Sequence, residues 1–275
     1  MSGPSLPDWR DSFPWPGPET HKHARGRLGV VSGKATQTGA ARLAARAGLR
    51  IGAGLVRVLC PPDAAAVIAP ALEAIMLTSF GSPEALAHEA RGMDSVVIGP
   101  AAGVGDATTT NLRALAETGA ALVIDADGLT SFEYFPDELF EVLDRDDVLT
   151  PHEGEFRRLF PDLLEVGREA AAAEAARRAG AVVLLKGPAT VIAAPDGRIA
   201  VNGNGTPWLA TAGAGDVLAG MIGGLVAQRM DSFDAARAAA WLHAEAARRF
   251  GPGVIAEDLP ESLPAVLAAL YERRA

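Results

Sequence analysis

The stretch Gly167-Arg168-Glu169-Ala170-Ala171-Ala172-Ala173-Glu174-Ala175-Ala176-Arg177-Arg178-Ala179-Gly180-Ala181-Val182-Val183-Leu184-Leu185-Lys186 decides the architecture. Gly167 to Ala179 is rich in alanine and long enough for a crossover helix, and Gly180 then interrupts it. Ala181 to Lys186 is a short apolar run with β-branched residues, the pattern of a buried strand. The same rhythm extends upstream. Strand-like runs occur at Leu28 to Ser32, Leu55 to Leu59, Ser95 to Ile98, Ala121 to Asp125 and Asp147 to Thr150, with helical segments at Gly39 to Ile51 and Thr108 to Glu117. This alternation predicts a mostly parallel sheet. Right-handed crossovers cover both its faces and gather the strand C-termini along one edge, where α/β proteins bind ligands.

Beyond Lys186 the spacing changes to a hairpin: Thr190 to Ala194, the turn Pro195-Asp196-Gly197, then Arg198 to Val201. A small antiparallel edge follows from it. Three helical segments close the chain, at Asp216 to Gln228, Phe233 to Phe250 and Ser262 to Glu272. Residues 1–20 scatter Pro4, Pro7, Pro14, Pro16 and Pro18 among Trp9, Phe13 and Trp15, which predicts an irregular arm on the domain surface. Residues 21–275 are expected to form one domain around one large sheet. An apolar content of 49% with only 5% aromatics suits helices packed closely on such a sheet.

A formal charge of −9 makes nucleic acid a poor partner, whereas a small phosphorylated ligand needs only local donors such as backbone amides at a helix start. Cys60 is the single cysteine, so no intrachain disulfide and no cysteine-based zinc cluster can form. There is no charged start followed by an apolar core and no apolar run of about 18 residues. A soluble cytoplasmic protein without membrane partners is expected.

The segment richest in chemistry is Ala210-Thr211-Ala212-Gly213-Ala214-Gly215-Asp216-Val217-Leu218-Ala219-Gly220, a glycine-dense turn entering a helix. Gly213 and Gly215 permit close backbone approach, the helix start carries positive partial charge, and Asp216 stands where a carboxylate reaches a bound anion. The plainer reading makes Asp216 a helix cap. Further along the active edge, His152 follows a strand ending in Thr150-Pro151, where it can donate to a phosphate or ribose oxygen or remain a surface histidine. Asp125 and Asp127 end another strand, as metal or loop ligands or as turn and capping residues. Lys186 ends a third, with an ammonium near phosphate or a stem packed over the sheet edge.

Taken whole, the run at Gly213 to Asp216 resembles the Gly-x-Gly-Asp signature of the ribokinase-like superfamily, and within it the NAD(P)H-hydrate dehydratase branch. Collinear blocks extend the resemblance over residues 21–265: His21-Lys22 with Arg25-Gly26, Thr38-Gly39-Ala40-Ala41, Gly52-Ala53-Gly54-Leu55-Val56, Ile98-Gly99-Pro100 with Gly103, Asp125-Ala126-Asp127, Thr150-Pro151-His152-Glu153-Gly154-Glu155, and Lys186-Gly187 with Thr190. The resemblance implies an α/β fold of the ribokinase-like kind, a three-layer sandwich with a mostly parallel central sheet and a small antiparallel edge.

It also implies an activity. ADP or ATP donates phosphate to the C6 hydroxyl of the S epimer of hydrated NADH or NADPH, and elimination of phosphate restores the reduced cofactor. By the same resemblance Asp216 is the base and the amides of Gly213, Ala214 and Gly215 stabilise the transferring phosphoryl. Ala40, Gly103, His152 and Asp216 bind the hydrated dinucleotide, while Lys186, Gly187, Pro188, Ala189, Thr190 and Gly215 bind the nucleotide. Glu155 is similar to the acidic end of the superfamily's metal-associated Asn-x-x-Glu element and would orient Mg2+ through water; a surface glutamate pairing with Arg158 is the alternative. A homo-oligomer and a functional link to an NAD(P)H-hydrate epimerase are further implications.

Three departures bear on ligand pose. The family commonly has Gly-Pro-Gly-Leu-Gly where this chain has Gly99-Pro100-Ala101-Ala102-Gly103, and Lys-Gly-Ala-Gly-Thr where it has Lys186-Gly187-Pro188-Ala189-Thr190. Ala214 stands where many relatives have Ser. Two rival readings share the fold: a small-molecule kinase of the hydroxymethylpyrimidine or thiazole type, and a catalytically silent nucleotide-binding protein. Gly29 to Lys34 lacks the spacing of a P-loop, and Gly99, Gly103 and Gly105 do not form a dinucleotide fingerprint.

Overall fold

A computed structural model describes residues 8–163, 165 and 167–273. Its strands are β1 (Arg27–Val31), β2 (Leu55–Cys60), β3 (Met76–Ser79), β4 (Ser95–Ile98), β5 (Ala121–Ile124), β6 (Val148–Leu149), β7 (Val182–Leu185), β8 (Thr190–Ala193) and β9 (Ile199–Asn202). They form one sheet in the order β3-β2-β1-β4-β5-β6-β7-β8-β9. The first seven are parallel, and β8 and β9 run antiparallel to their neighbours. The helices are α1 (Gly39–Arg50), α2 (Pro62–Ile68), α3 (Pro83–Ala90), α4 (Asp106–Ala116), α5 (Asp127–Thr130), α6 (Pro136–Phe140), α7 (Glu153–Leu159), α8 (Arg168–Ala179), α9 (Ala214–Ala227), α10 (Ser232–Phe250) and α11 (Asp258–Glu272).

Strand alternation builds the three layers. Val182 and Leu184 enter the core shared with α1, α9, α10 and α11, whereas Val183 and Leu185 enter the core under α4, α7 and α8. Both faces are therefore buried, as a parallel sheet requires. The strand order reverses between β1 and β4, so the loops leaving these two strands form the crevice in which such sheets bind ligands. Gly103 lies in the loop after β4, and Ala40 stands in the first turn of α1, where the loop after β1 ends.

Helix α9 is buried nearly all round, because it lies between the sheet and its neighbours α1 and α10. Glycines make that approach possible. A Cβ on Gly220 would clash with the Ala44 carbonyl, and one on Gly224 would clash with α1 at Ile51 and Gly48. The two helices thus meet backbone to backbone at Gly220 with Ala44 and at Gly224 with Gly48.

Several expectations are revised. Strand β3 has no counterpart in the sequence reading, because this edge strand is half exposed and lacks a buried apolar run. Helix α9 begins at Ala214, two residues before Asp216, and α11 begins at Asp258, four before Ser262. Pro260 lies in the first turn of α11, where no intrahelical N–H is needed. In the N-terminal arm, Met1 to Pro7 lie outside the described residues, but Asp8–Ser12 form a 3-10 turn. Trp9 and Phe13 are buried, and Trp9 packs edge-on against Trp241 of α10 at 5.8 Å. This part of the arm is anchored in the core and not merely laid on the surface.

Candidate active site

The turn Gly213-Ala214-Gly215-Asp216 stands on the sheet edge at the start of α9. Gly213 is its N-cap, with φ of +86°, and an added Cβ would lie 2.8 Å from both Ala256 Cβ and Leu43 Cδ1. Only glycine meets both demands. Among the described residues the amides of Gly213, Gly215 and Asp216 have no protein acceptor, and the Ala214 amide has a long 3.4 Å contact with the Thr211 carbonyl. Unpaired N–H groups at a helix start form an anion site.

Asp216 is the third residue of α9 and caps nothing: no hydrogen bond reaches its carboxylate among the described residues, and the cap position belongs to Gly213. Burial raises its pKa to about 6, with the negative charges of Asp125 and Asp127 acting in the same sense and Lys186 opposing them.

Lys186, at the end of β7, places Nζ 2.7 Å from Asp125 Oδ1 and 3.8 Å from Glu155 Oε2. The pair lies directly under the turn, because a Cβ on Gly215 would be 3.6 Å from both Lys186 Nζ and Asp125 Oδ2. Burial alone would lower the Lys186 pKa, but the carboxylates of Asp125 and Glu155 outweigh it and raise it. The ammonium is therefore charged and held at the anion turn. Asp125 serves this pair and the Ala126 amide, and not a cap of α5.

Glu155 is 5% exposed, so the alternative of a surface glutamate is excluded; Arg158 pairs instead with Glu133. Burial raises its pKa despite Lys186. With His152 it forms a capping box on α7: His152 Nδ1 accepts from the Gly154 and Glu155 amides, and Glu155 Oε2 accepts from the His152 amide at 2.8 Å. The ring is exposed and turns Nε2 to Glu155 Oε1 at 3.4 Å. Since Nδ1 accepts two bonds, Nε2 carries the proton in the neutral ring.

At the switch point, Asp127 Oδ2 accepts from the Gly103 amide at 2.8 Å and so ties the loop after β5 to the loop after β4. Two alanines here hold positive φ, Ala101 at +55° and Ala126 at +49°, a conformation that costs on the order of 1 kcal/mol for a residue with a Cβ. Ala101 is one of the two positions where the family pattern described above has glycine and this chain carries a Cβ.

A cavity of about 500 Å³ opens from Gly215 and Lys186 toward Pro188, Thr190, Leu209 and His243. Thr190 Oγ1 donates to the Gly187 carbonyl at 3.2 Å, closing the loop between β7 and β8. Arg168 donates to the Leu185 and Lys186 carbonyls and packs against Gly187, which braces that loop. Arg168 and His243 escaped the sequence reading. Helical spacing of His243 with Ala236, Ala240 and Ala247 is a signal that it faces inward; nothing in the sequence marks Arg168.

The sheet order, the antiparallel edge and the Gly-x-Gly-Asp turn over a strand-end lysine define a ribokinase-like protein. A family model described as NAD(P)H-hydrate dehydratase matches residues 28–265. The chain belongs to that family. It is 34% identical to the ADP-dependent (S)-NAD(P)H-hydrate dehydratase of Xanthomonas campestris, over 94% of this chain and 93% of that protein. It is 38% identical to the bifunctional NAD(P)H-hydrate repair enzyme of Salinibacter ruber, over 94% of this chain and 51% of that protein. The chain thus spans about half the length of the bifunctional relatives it matches. Its fold superposes on the ADP/ATP-dependent NAD(P)H-hydrate dehydratase of Bacillus subtilis, crystallised with ATP and Mg2+, with a TM-score of 0.82 and 26% identity, covering 95% of this chain and 96% of that one.

Proposed function

We propose that the chain dehydrates the S epimer of hydrated NADH and NADPH, with ADP or ATP as phosphate donor. Family membership supports the reaction class. The observation that carries the assignment of the site is the Asp216 carboxylate, free of hydrogen bonds beside amides without acceptors. Ala40, Gly103 and His152 would seat the hydrated dinucleotide, while Lys186 to Thr190 and Gly215 would seat the nucleotide.

The chemistry follows from these placements. Asp216, ionised at neutral pH with a pKa of about 6, removes the proton of the C6 hydroxyl. The oxygen attacks the terminal phosphorus of the nucleotide, whose bridging P–O bond breaks; ADP gives AMP. The Gly213 to Gly215 amides and the Lys186 ammonium hold the charge on the transferring phosphoryl. Phosphate then departs with the C6–O electrons, pushed by the ring nitrogen, and loss of the C5 proton restores the double bond.

Mg2+ favours phosphate oxygens and water supplemented by one or two carboxylates. The described residues contain no group of three or more His, Cys, Asp or Glu side chains arranged for a metal, while Glu155 and Asp216 flank the anion turn. That donor set fits a cation carried on the nucleotide's phosphates and reached by Glu155 through water, where it would add positive charge.

We further propose that residues 21–275 act as one unit, that the chain self-associates, and that it works with an NAD(P)H-hydrate epimerase, the last supported by the bifunctional relatives. The buried free Cys60 supports a reducing, cytoplasmic setting. No described helix is long and apolar enough to cross a membrane. Incubation of hydrated NADH with ADP or ATP tests the reaction: near-ultraviolet absorbance and inorganic phosphate should rise together. A stable phosphate ester would instead identify a kinase, and binding without turnover a silent nucleotide-binding protein.

A further inference from the structure

Arg168 is the first residue of α8, where a cation opposes the positive end of the helix, and Gly167 before it offers no side-chain cap. Its side chain instead reaches the end of β7. There Nη2 donates to the Lys186 carbonyl at 2.9 Å and to the Leu185 carbonyl at 3.2 Å, while Nη1 lies 3.4 Å from Glu153 Oε2 in the first turn of α7. The pairing of β7 with β8 ends at Leu185 opposite Val191, so Lys186 lies beyond the ladder, and no backbone N–H donates to its carbonyl among the described residues. The guanidinium supplies the donor that the sheet leaves out.

Every polar group of Lys186 is thereby held. Its amide donates to the Pro151 carbonyl at 2.9 Å, its ammonium meets Asp125 and Glu155, and its carbonyl belongs to Arg168. The Lys186–Gly187 peptide bond is trans, so its N–H points opposite to its C=O and therefore away from the guanidinium. That N–H belongs to Gly187, which lines the cavity opening from Gly215, and it meets no protein acceptor among the described residues. Pro188 follows and has no N–H to offer. The arrangement requires glycine at 187, since a Cβ there would come within 2.5 Å of Arg168 Nη2.

We propose that Arg168 is a positioning residue for nucleotide binding: by holding the Lys186 carbonyl it fixes the Lys186–Gly187 peptide with the Gly187 N–H turned to the phosphates, a further donor beside the Gly213 to Gly215 amides. Arg168 is not among the residues lining the cavity, so it acts through the peptide and not by contact. Without it the peptide is free to rotate and the donor is lost. The proposal rests on the placement of the nucleotide given above.

Calorimetric titrations and steady-state kinetics of the full chain test it in the parent, in Arg168→Met, Arg168→Lys and Gly187→Ala, and in the double variant of Arg168→Met with Gly187→Ala. Arg168→Met should bind ADP ~10-fold more weakly and raise its KM to match, the scale of one hydrogen bond. The kcat and the KM for the hydrated dinucleotide should stay close to parental. Arg168→Lys, whose ammonium lacks the fork that spans two carbonyls, should recover part of the affinity. Gly187→Ala keeps the arginine, but its methyl group pushes the guanidinium off the carbonyl and should weaken ADP to a similar extent. In the double variant that methyl group has room, so the two losses should not add. Unfolding curves establish which variants are folded, and Gly187→Ala carries the test if Arg168→Met is not. A folded Arg168→Met that is less stable yet binds ADP as tightly as the parent overturns the proposal, as do additive losses in the double variant. The underlying placement fails separately: ADP binding that survives Gly215→Val would put the nucleotide elsewhere, whatever the Arg168 variants do.

Discussion

Lys186 Nζ lies 2.7 Å from Asp125 Oδ1, joining the end of β7 to the end of β5 directly below Gly215. Asp125 is 1% exposed, so removing the ammonium strands a carboxylate in the interior. Lys186→Met should destabilise the fold by about 3 kcal/mol in denaturant titrations, the usual scale for breaking a buried pair from one side. Asp125→Asn in the same chain should recover much of the loss. No loss in the single variant would mean that the pair does not hold the two strand ends together.

Asp216→Asn should lower turnover by about 100-fold or more while leaving the fold and nucleotide affinity close to those of the parent. In the parent, kcat/KM should fall below pH 6, because the carboxyl gains its proton at about 6 and can no longer act as a base. Activity with no acid limb near that pH, or near-normal turnover of the variant, would remove Asp216 from the reaction.

Gly215→Val should weaken ADP and ATP binding and slow turnover, because its methyl groups would crowd the approach to the turn above Lys186 and Asp125. Ala40→Trp, at the start of α1, should obstruct the hydrated dinucleotide and spare the nucleotide. Titrations of each ligand against both variants check the division; equal loss of both ligands in Ala40→Trp would mean a single shared pocket.

Asp147 makes stability depend on pH. It accepts from the Leu122 amide at 2.6 Å and the Asp144 amide at 2.8 Å, but burial raises its pKa from 3.8 to about 7. Between these values the native state holds a proton that the unfolded chain has released, so stability falls as pH rises from about 4 to 7 and levels off above. This group's share is on the order of 4 kcal/mol. Asp147→Asn should flatten that part of the curve, as measured by urea unfolding at a series of pH values, whereas an unchanged slope would assign the dependence to other groups.

The parallel strands were legible because burial on both faces leaves continuous apolar runs such as Val182 to Leu185, and because their ends carry Asp125, Thr150 and Lys186. Asp216 was legible through its glycines. Its freedom from hydrogen bonds was not, since capping and catalysis need the same residue in the same turn; the difference lies in the helix starting at Ala214 and leaving the cap to Gly213. Glu155 shows the limit from the other side. A glutamate shortly before Arg157 and Arg158 reads as solvated, and its burial is accommodated by the His152 amide and by Lys186, which only the tertiary fold brings to it. His243 and Arg168 depend wholly on such placement, one on the packing of α10 over α9, the other on a loop that follows a later strand.

The backbone contact of α1 with α9 at Ala44, Gly48, Gly220 and Gly224 has a consequence for inheritance and engineering. Ala40 stands in the first turn of one of these helices and Gly213 to Asp216 open the other, so the contact sets the separation between the seats proposed for the two reactants. Where Gly220 meets the Ala44 backbone there is no side chain to absorb an added methyl group, and the displacement would pass along the two helices to the proposed reacting centre. Silent-looking changes of Gly to Ala, remote from both ligands, would then misalign donor and acceptor while every contacting residue remained intact. A map of damaging variants in this protein should trace a line through its interior as well as a ring around its mouth.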